Sequence, residues 1–221
     1  DSLKTISITH SGDAKFRFFT WNIANNDGTY RYYGTIQMNS SDGKLKLFPL
    51  VDYTPSISKP SDTITTNDQW YGAQYYQIIP VTQNTADPYY ILLGWKGNTN
   101  KSTKKVIEIL SFKDGKAYFG RSVFDGAADF INKKRVIFEY NSKVSMMLRH
   151  LADKNMIVFD HLSPMNAHAA NKPELYGPDM SYDGFRLING RCQFVSNLML
   201  KNAPSEKDDQ YIDPAKKDKR Y

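Results

Sequence analysis

The chain has 221 residues, 40% of them hydrophobic and 24% charged, and its 29 Lys and Arg outnumber 23 Asp and Glu for a net charge of +6. A chain of this length buries about 70% of its unfolded surface, so its core needs no supplement from disulfides or metals, and the single Cys192 permits no intrachain disulfide. No apolar run approaches the ~18 residues of a membrane span, and acidic residues interrupt the short basic clusters, which weighs against a nucleic-acid partner.

The 12 Phe, 15 Tyr and 3 Trp favour pleated, half-buried surfaces, and a two-residue period dominates the chain. Residues 15–50 read as a three-stranded antiparallel meander. "KFRFFTWNIA", "YRYYGTIQM" and "KLKLFPL" are its strands, and "NNDG" and "NSSDG" are its turns. Within the second strand Tyr30, Tyr32, Ile36 and Met38 share one face, opposite Arg31, Tyr33, Thr35 and Gln37. The following stretch, 51–68, is rich in Pro, Ser and Thr and reads as a long surface loop lying over something else.

Strands resume at "WYGAQYYQIIPVTQ" and "PYYILLGW", joined by the turn "NTAD". The second is apolar without alternation, as a strand covered on both faces would be. "KKVIEILSF" and "KAYFGRSVF" form a hairpin about "KDG". "RVIFEYN", "SMMLRHL", "MIVFDHL", "GFRLI" and "RCQFVSNL" continue the pattern, the last two joined by "NG". Only 126–134 and 166–172 offer short helical turns, so βαβ crossovers are absent. The fold predicted is all-β: about eleven or twelve strands in an antiparallel meander forming a sandwich or barrel. Residues 1–200 make one β-rich domain. Residues 201–221, with six basic and five acidic side chains, form a charged C-terminal extension.

Several segments, among them "FRFFTWNIANNDGTYRYYGTIQMN", "WYGAQYYQII", "YYILLGWKGNTNKSTKKVIEILSF", "IVFDHLSP" and "YGPDMSYDGF", together resemble an uncharacterised family of exported proteins from Bacteroidetes-type bacteria. The resemblance spans most of residues 1–200 and transfers no catalytic residue. It implies a periplasmic or cell-surface location, with a further helical region before Asp1. Cys192 stands where the family pattern has a tryptophan after "NGR".

No G-x-S-x-G, H-E-x-x-H, paired CxxC or P-loop is present, and no segment has the ligand spacing of an EF-hand. The densest polar segment is 160–183. There Asp160 and His161 follow the apolar strand "MIVF" at what reads as a strand end. Asp160 is placed to orient a histidine, or His161 to serve Ser163 as a base. Asp179 and Asp183 flank "MSY" in a Gly-Pro-rich turn, and with Asp160 they would suit a hard cation such as Ca²⁺ if the three carboxylates converged. The competing reading gives all three to turn chemistry. His161 and His168 have no standard metal-ligand spacing.

Trp95 ends the apolar strand and opens the loop "KGNTN", where an aromatic would reach the surface to stack on a sugar ring. The ligand-binding candidates are therefore Trp95, Asp160, His161 and Tyr182, and the metal candidates Asp160, Asp179 and Asp183. The leading expectation is a non-enzymatic exported β domain that binds an envelope or extracellular glycan or protein. A hydrolase using the 160–183 carboxylates, with or without a metal, and a purely structural envelope protein are the alternatives.

Overall fold

The computed structural model describes residues 6–82, 85 and 87–200. The C-terminal extension and part of the "NTAD" turn lie outside the described residues. The chain is all-β, and its described residues form fifteen strands in three sheets, two of the strands being only two residues long. No helix among the described residues is long and apolar enough to cross a membrane.

The first sheet is the expected meander with one more strand at its edge. It runs β1 (Ser7–His10), β2 (Phe16–Ala24), β3 (Tyr30–Met38) and β4 (Lys46–Val51), all antiparallel. The alternation read from the sequence sets its two faces. Phe16, Phe18, Tyr32, Ile36, Phe48 and Leu50 are buried, and their neighbours in sequence face outward.

The second sheet contains β5 (Thr65–Thr66), β6 (Gln74–Val81), β7 (Tyr89–Gly97), β8 (Ser102–Lys113), β9 (Lys116–Phe119) and β11 (Val136–Asn141). It lies between the other two. Along β7, Tyr89, Ile91 and Leu93 pack into one core cluster, while Tyr90 and Leu92 pack into the other. A strand buried on both faces has no reason to alternate, which accounts for "YYILLGW". The all-β architecture is therefore built of three sheets, with the central one covered on both faces.

The third sheet contains β10 (Phe124–Asp125), β12 (Leu148–Leu151), β13 (Met156–Pro164), β14 (Tyr176–Ile188) and β15 (Arg191–Val195). Only the short β10–β15 pairing is parallel. Residues 126–134 hold a turn at 128–132 and no helix, and 166–172 include one short 3₁₀ turn, Ala167–Ala169.

The 51–68 segment does lie over something, and two buried cations hold it there. The Arg135 guanidinium donates to the carbonyls of Pro60, Thr63 and Phe119, and its Nε lies 2.6 Å from Glu108 Oε2. Both side chains of that ion pair are fully buried. The Lys96 ammonium donates to Thr54 Oγ1 at 3.0 Å, Tyr71 O at 2.8 Å and Gly72 O at 2.7 Å, and it sits over the rings of Tyr32 and Tyr71. A loop with little apolar content is thus fixed by charge-assisted hydrogen bonds, from Arg135 to the carbonyls of Pro60 and Thr63 and from Lys96 to the Thr54 hydroxyl.

Candidate functional site

The turn grammar of the sequence holds at four of its five Asp-Gly pairs. Gly28, Gly43, Gly115 and Gly126 all have positive φ. Asp183-Gly184 is the exception. It lies inside β14, with Asp183 opposite Phe159 and Gly184 opposite Val158 on β13. Its glycine serves close strand approach instead, because a Cβ there would lie 2.6 Å from the Ile157 carbonyl oxygen.

The neighbouring readings change with it. Asp160 and His161 are not at a strand end, since β13 continues to Pro164, and "YGPDMSYDG" is the first part of β14. A bulge interrupts the β13–β14 ladder here. Asp160 pairs with Tyr182 and Leu162 with Pro178, so His161 alone stands against Asp179, Met180 and Ser181. Met180 takes a left-handed φ of 72° and points to solvent. Asp179 steadies the excursion by accepting from Ser181 N at 3.0 Å and Ser181 Oγ at 2.6 Å. These two hydrogen bonds hold its carboxyl below the ordinary aspartate range. Bulges re-aim side chains, and this one releases His161 from the ladder.

His161 turns toward Asp183. Its Nδ1 lies 2.7 Å from Asp183 Oδ2, and Asp183 Oδ1 accepts from Asn197 N at 3.0 Å. The Asp183 side chain is 7% exposed and the His161 side chain 48%. A buried carboxylate with both oxygens occupied thus fixes a half-exposed imidazole through one nitrogen. Asp160 does not orient the histidine. Its Oδ2 accepts from Met147 N at 2.7 Å while its own N donates to Met147 O, which extends the β12–β13 ladder by one pair.

The dyad lines a cleft of about 580 Å³ together with Asp129, Asp160 and Asp179. Its apolar wall is the open end of one core. Phe130 packs within 5.1 Å of both Phe185 and Phe194, and Phe138 lies 4.6 Å from Phe159, measured between ring centroids. Ser181, Ser196 and Asn197 complete the polar rim. The cleft draws on β11, the 127–130 turn, the β13–β14 bulge and the end of β15. No single stretch of sequence announces it.

The metal expectation for Asp160, Asp179 and Asp183 is corrected by this geometry. Among the described residues no three His, Cys, Asp or Glu side chains are placed to hold a metal ion. The three carboxylates line one cleft, but each is engaged separately: with Met147 N, with Ser181, and with His161 and Asn197. Ser163 sits in the ladder opposite Gly177 and is not among the side chains lining the cleft, so the expected pairing of His161 with Ser163 is not formed there. Tyr182 is also outside the lining, although its ladder partner Asp160 is inside it.

Trp95 belongs elsewhere. With Tyr30, whose ring meets it edge-on at 5.6 Å, it lines a separate cleft of about 280 Å³ beside Lys105 and Tyr140. The four ligand-binding candidates therefore do not form one site. Cys192 is buried, and burial pushes its thiol up to about 12, which removes it as a nucleophile. The sequence reading missed the aromatic wall. Phe130, Phe138 and Phe194 look like ordinary core positions, and only the packing shows that their ring cluster opens on one side. No protein-family model, no curated protein and no solved structure matches the chain.

Proposed function

We propose that this chain is a binding module whose ligand, an envelope or extracellular glycan, lies in the cleft beside His161. One observation carries the reading: a wall of phenylalanine rings faces a rim of hydrogen-bonding side chains across about 580 Å³. A sugar ring needs that combination, with an apolar surface under its C–H face and acceptors and donors at its hydroxyls. Asp129, Asp160, Asp179 and the fixed imidazole supply the polar side, and Asp183 preorganises the imidazole before any ligand arrives. The exported setting suggested by the sequence resemblance agrees with such a ligand.

The test is a thermal-shift screen of oligosaccharides against the wild-type protein and against His161→Ala and Asp129→Asn. A ligand bound to the native state raises its melting temperature by mass action. A sugar that stabilises the wild type and loses that effect in both variants supports the reading. A panel without effect on folded protein, or a shift that survives both replacements, removes it.

One geometric feature favours a second reading, hydrolysis. The Asp183–His161 pair has the form of a carboxylate-oriented general base, with Nε2 left for a water. Turnover of a glycan or ester that disappears in His161→Gln while ligand binding persists would select this reading over simple binding.

A further inference from the structure

We infer that the outer face of the first sheet is a docking surface for an anionic phospholipid bilayer, separate from the cleft beside His161. The inward residues of this sheet pack on the central sheet, whereas its other face packs against no other sheet among the described residues. On β2 and β3 that outer face carries Arg17, Phe19, Trp21, Ile23, Arg31 and Tyr33. The flanking strands add Ile8, Leu47 and Val51. With Ile23, these aliphatic side chains are 44%, 43%, 51% and 51% exposed respectively. Contiguous exposed apolar surface of this kind marks an interaction site.

Its charge is one-sided. In a chain with 23 Asp and Glu, no outward-facing position of β1 to β4 is acidic, and none is lysine. The only full positive charges there are Arg17 and Arg31. Two copies meeting through this face would bring arginines together without a carboxylate to neutralise them, which argues against self-association. The partner must be both anionic and apolar.

The ring faces decide among anionic partners. Trp21 and Tyr33 stack on each other, 5.7 Å apart and 13° from parallel. Arg17 lies over Phe19 at 5.1 Å and Arg31 over Tyr33 at 5.7 Å. The ring faces engaged in these contacts are not free for a nucleobase or sugar to stack on. The face presents aromatic rings, aliphatic side chains and guanidinium groups side by side. A bilayer interface takes that set: aromatic side chains at headgroup depth, aliphatic ones below them, and arginines on lipid phosphates. A net charge of +6 draws the protein toward an anionic membrane.

The experiment is co-sedimentation of the protein with phosphatidylcholine vesicles, with and without about 30% phosphatidylglycerol. The expected result is binding to the anionic vesicles only, with a blue shift in tryptophan emission that Trp21→Phe removes. Arg17→Gln with Arg31→Gln should weaken partitioning about tenfold or more. Ile23→Ser with Val51→Ser should also weaken it, and both pairs change exposed side chains that leave the fold intact. Lys143→Gln with Lys154→Gln removes the same charge from exposed positions elsewhere and should leave most of the binding. Failure to bind anionic vesicles, equal binding to neutral ones, or equal weakening by the lysine pair would overturn the inference. So would binding of an oligonucleotide or a protein through the two arginines without vesicle binding.

Discussion

Asp183 and His161 are 22 residues apart in sequence, yet Oδ2 of one lies 2.7 Å from Nδ1 of the other. The relationship depends on the β13–β14 bulge. Regular pairing places Asp183 opposite Phe159, and only the irregularity after Asp160 frees His161 to reach across. The two residues contribute unequally to the fold. Asp183 is buried and satisfies two donors, whereas the imidazole is half exposed.

Asp183→Ala should therefore cost about 1–3 kcal/mol, because the Asn197 amide and the His161 ring lose their acceptor. His161→Ala should cost less than about 1 kcal/mol. Urea denaturation of the two variants checks the order, and a larger loss for His161→Ala would contradict it.

Gly184→Ala tests whether this Asp-Gly pair is strand or turn. The new methyl would press on the Ile157 carbonyl and the Leu198 side chain, so the variant should lose about 1–3 kcal/mol. Gly43→Ala is the comparison. Nothing lies within 4 Å of its Cβ, and only the strain of φ 71° remains. Thermal unfolding should show Gly184→Ala the more destabilised of the two.

Arg135→Met removes the cation from a fully buried pair and strands the Glu108 carboxylate. The loss should be about 3–5 kcal/mol. Adding Glu108→Leu should restore part of it, because the uncompensated charge goes. Full recovery is not expected, since the carbonyls of Pro60, Thr63 and Phe119 still lack their donor. Equilibrium unfolding of the single and double variants measures the difference.

Lys96 predicts a pH dependence. Burial pulls its ammonium down to about 7 from an ordinary 10.5. The folded protein releases this proton near pH 7, while the unfolded chain keeps it to about 10.5. More protons on the unfolded state mean that stability rises with pH across this window. From pH 7 to 9 the gain from this group should be about 2 kcal/mol. Above pH 9 the raised thiol of Cys192 acts in the opposite sense. Lys96→Met should flatten the rise in melting temperature between pH 7 and 9.

The sequence by itself determined the strands and most of the turns, because these depend on local chemistry. Alternating Tyr and Phe made β2 and β3, Asp-Gly and Asn-Gly closed hairpins, and the unbroken "YYILLGW" run required cover on both faces. Tertiary structure alone decided the rest. A third sheet supplies the second cover, and two cations far along the chain fasten the 51–68 segment, Lys96 at the Thr54 hydroxyl and Arg135 at the carbonyls of Pro60 and Thr63, which carry no residue-specific signal. At 160–183 the turn-forming residues lie in a bulged ladder, since pairing with β13 outweighs local turn preference. The dyad and its aromatic wall come from four separate parts of the chain, and their meeting is a property of sheet stacking that no local pattern encodes.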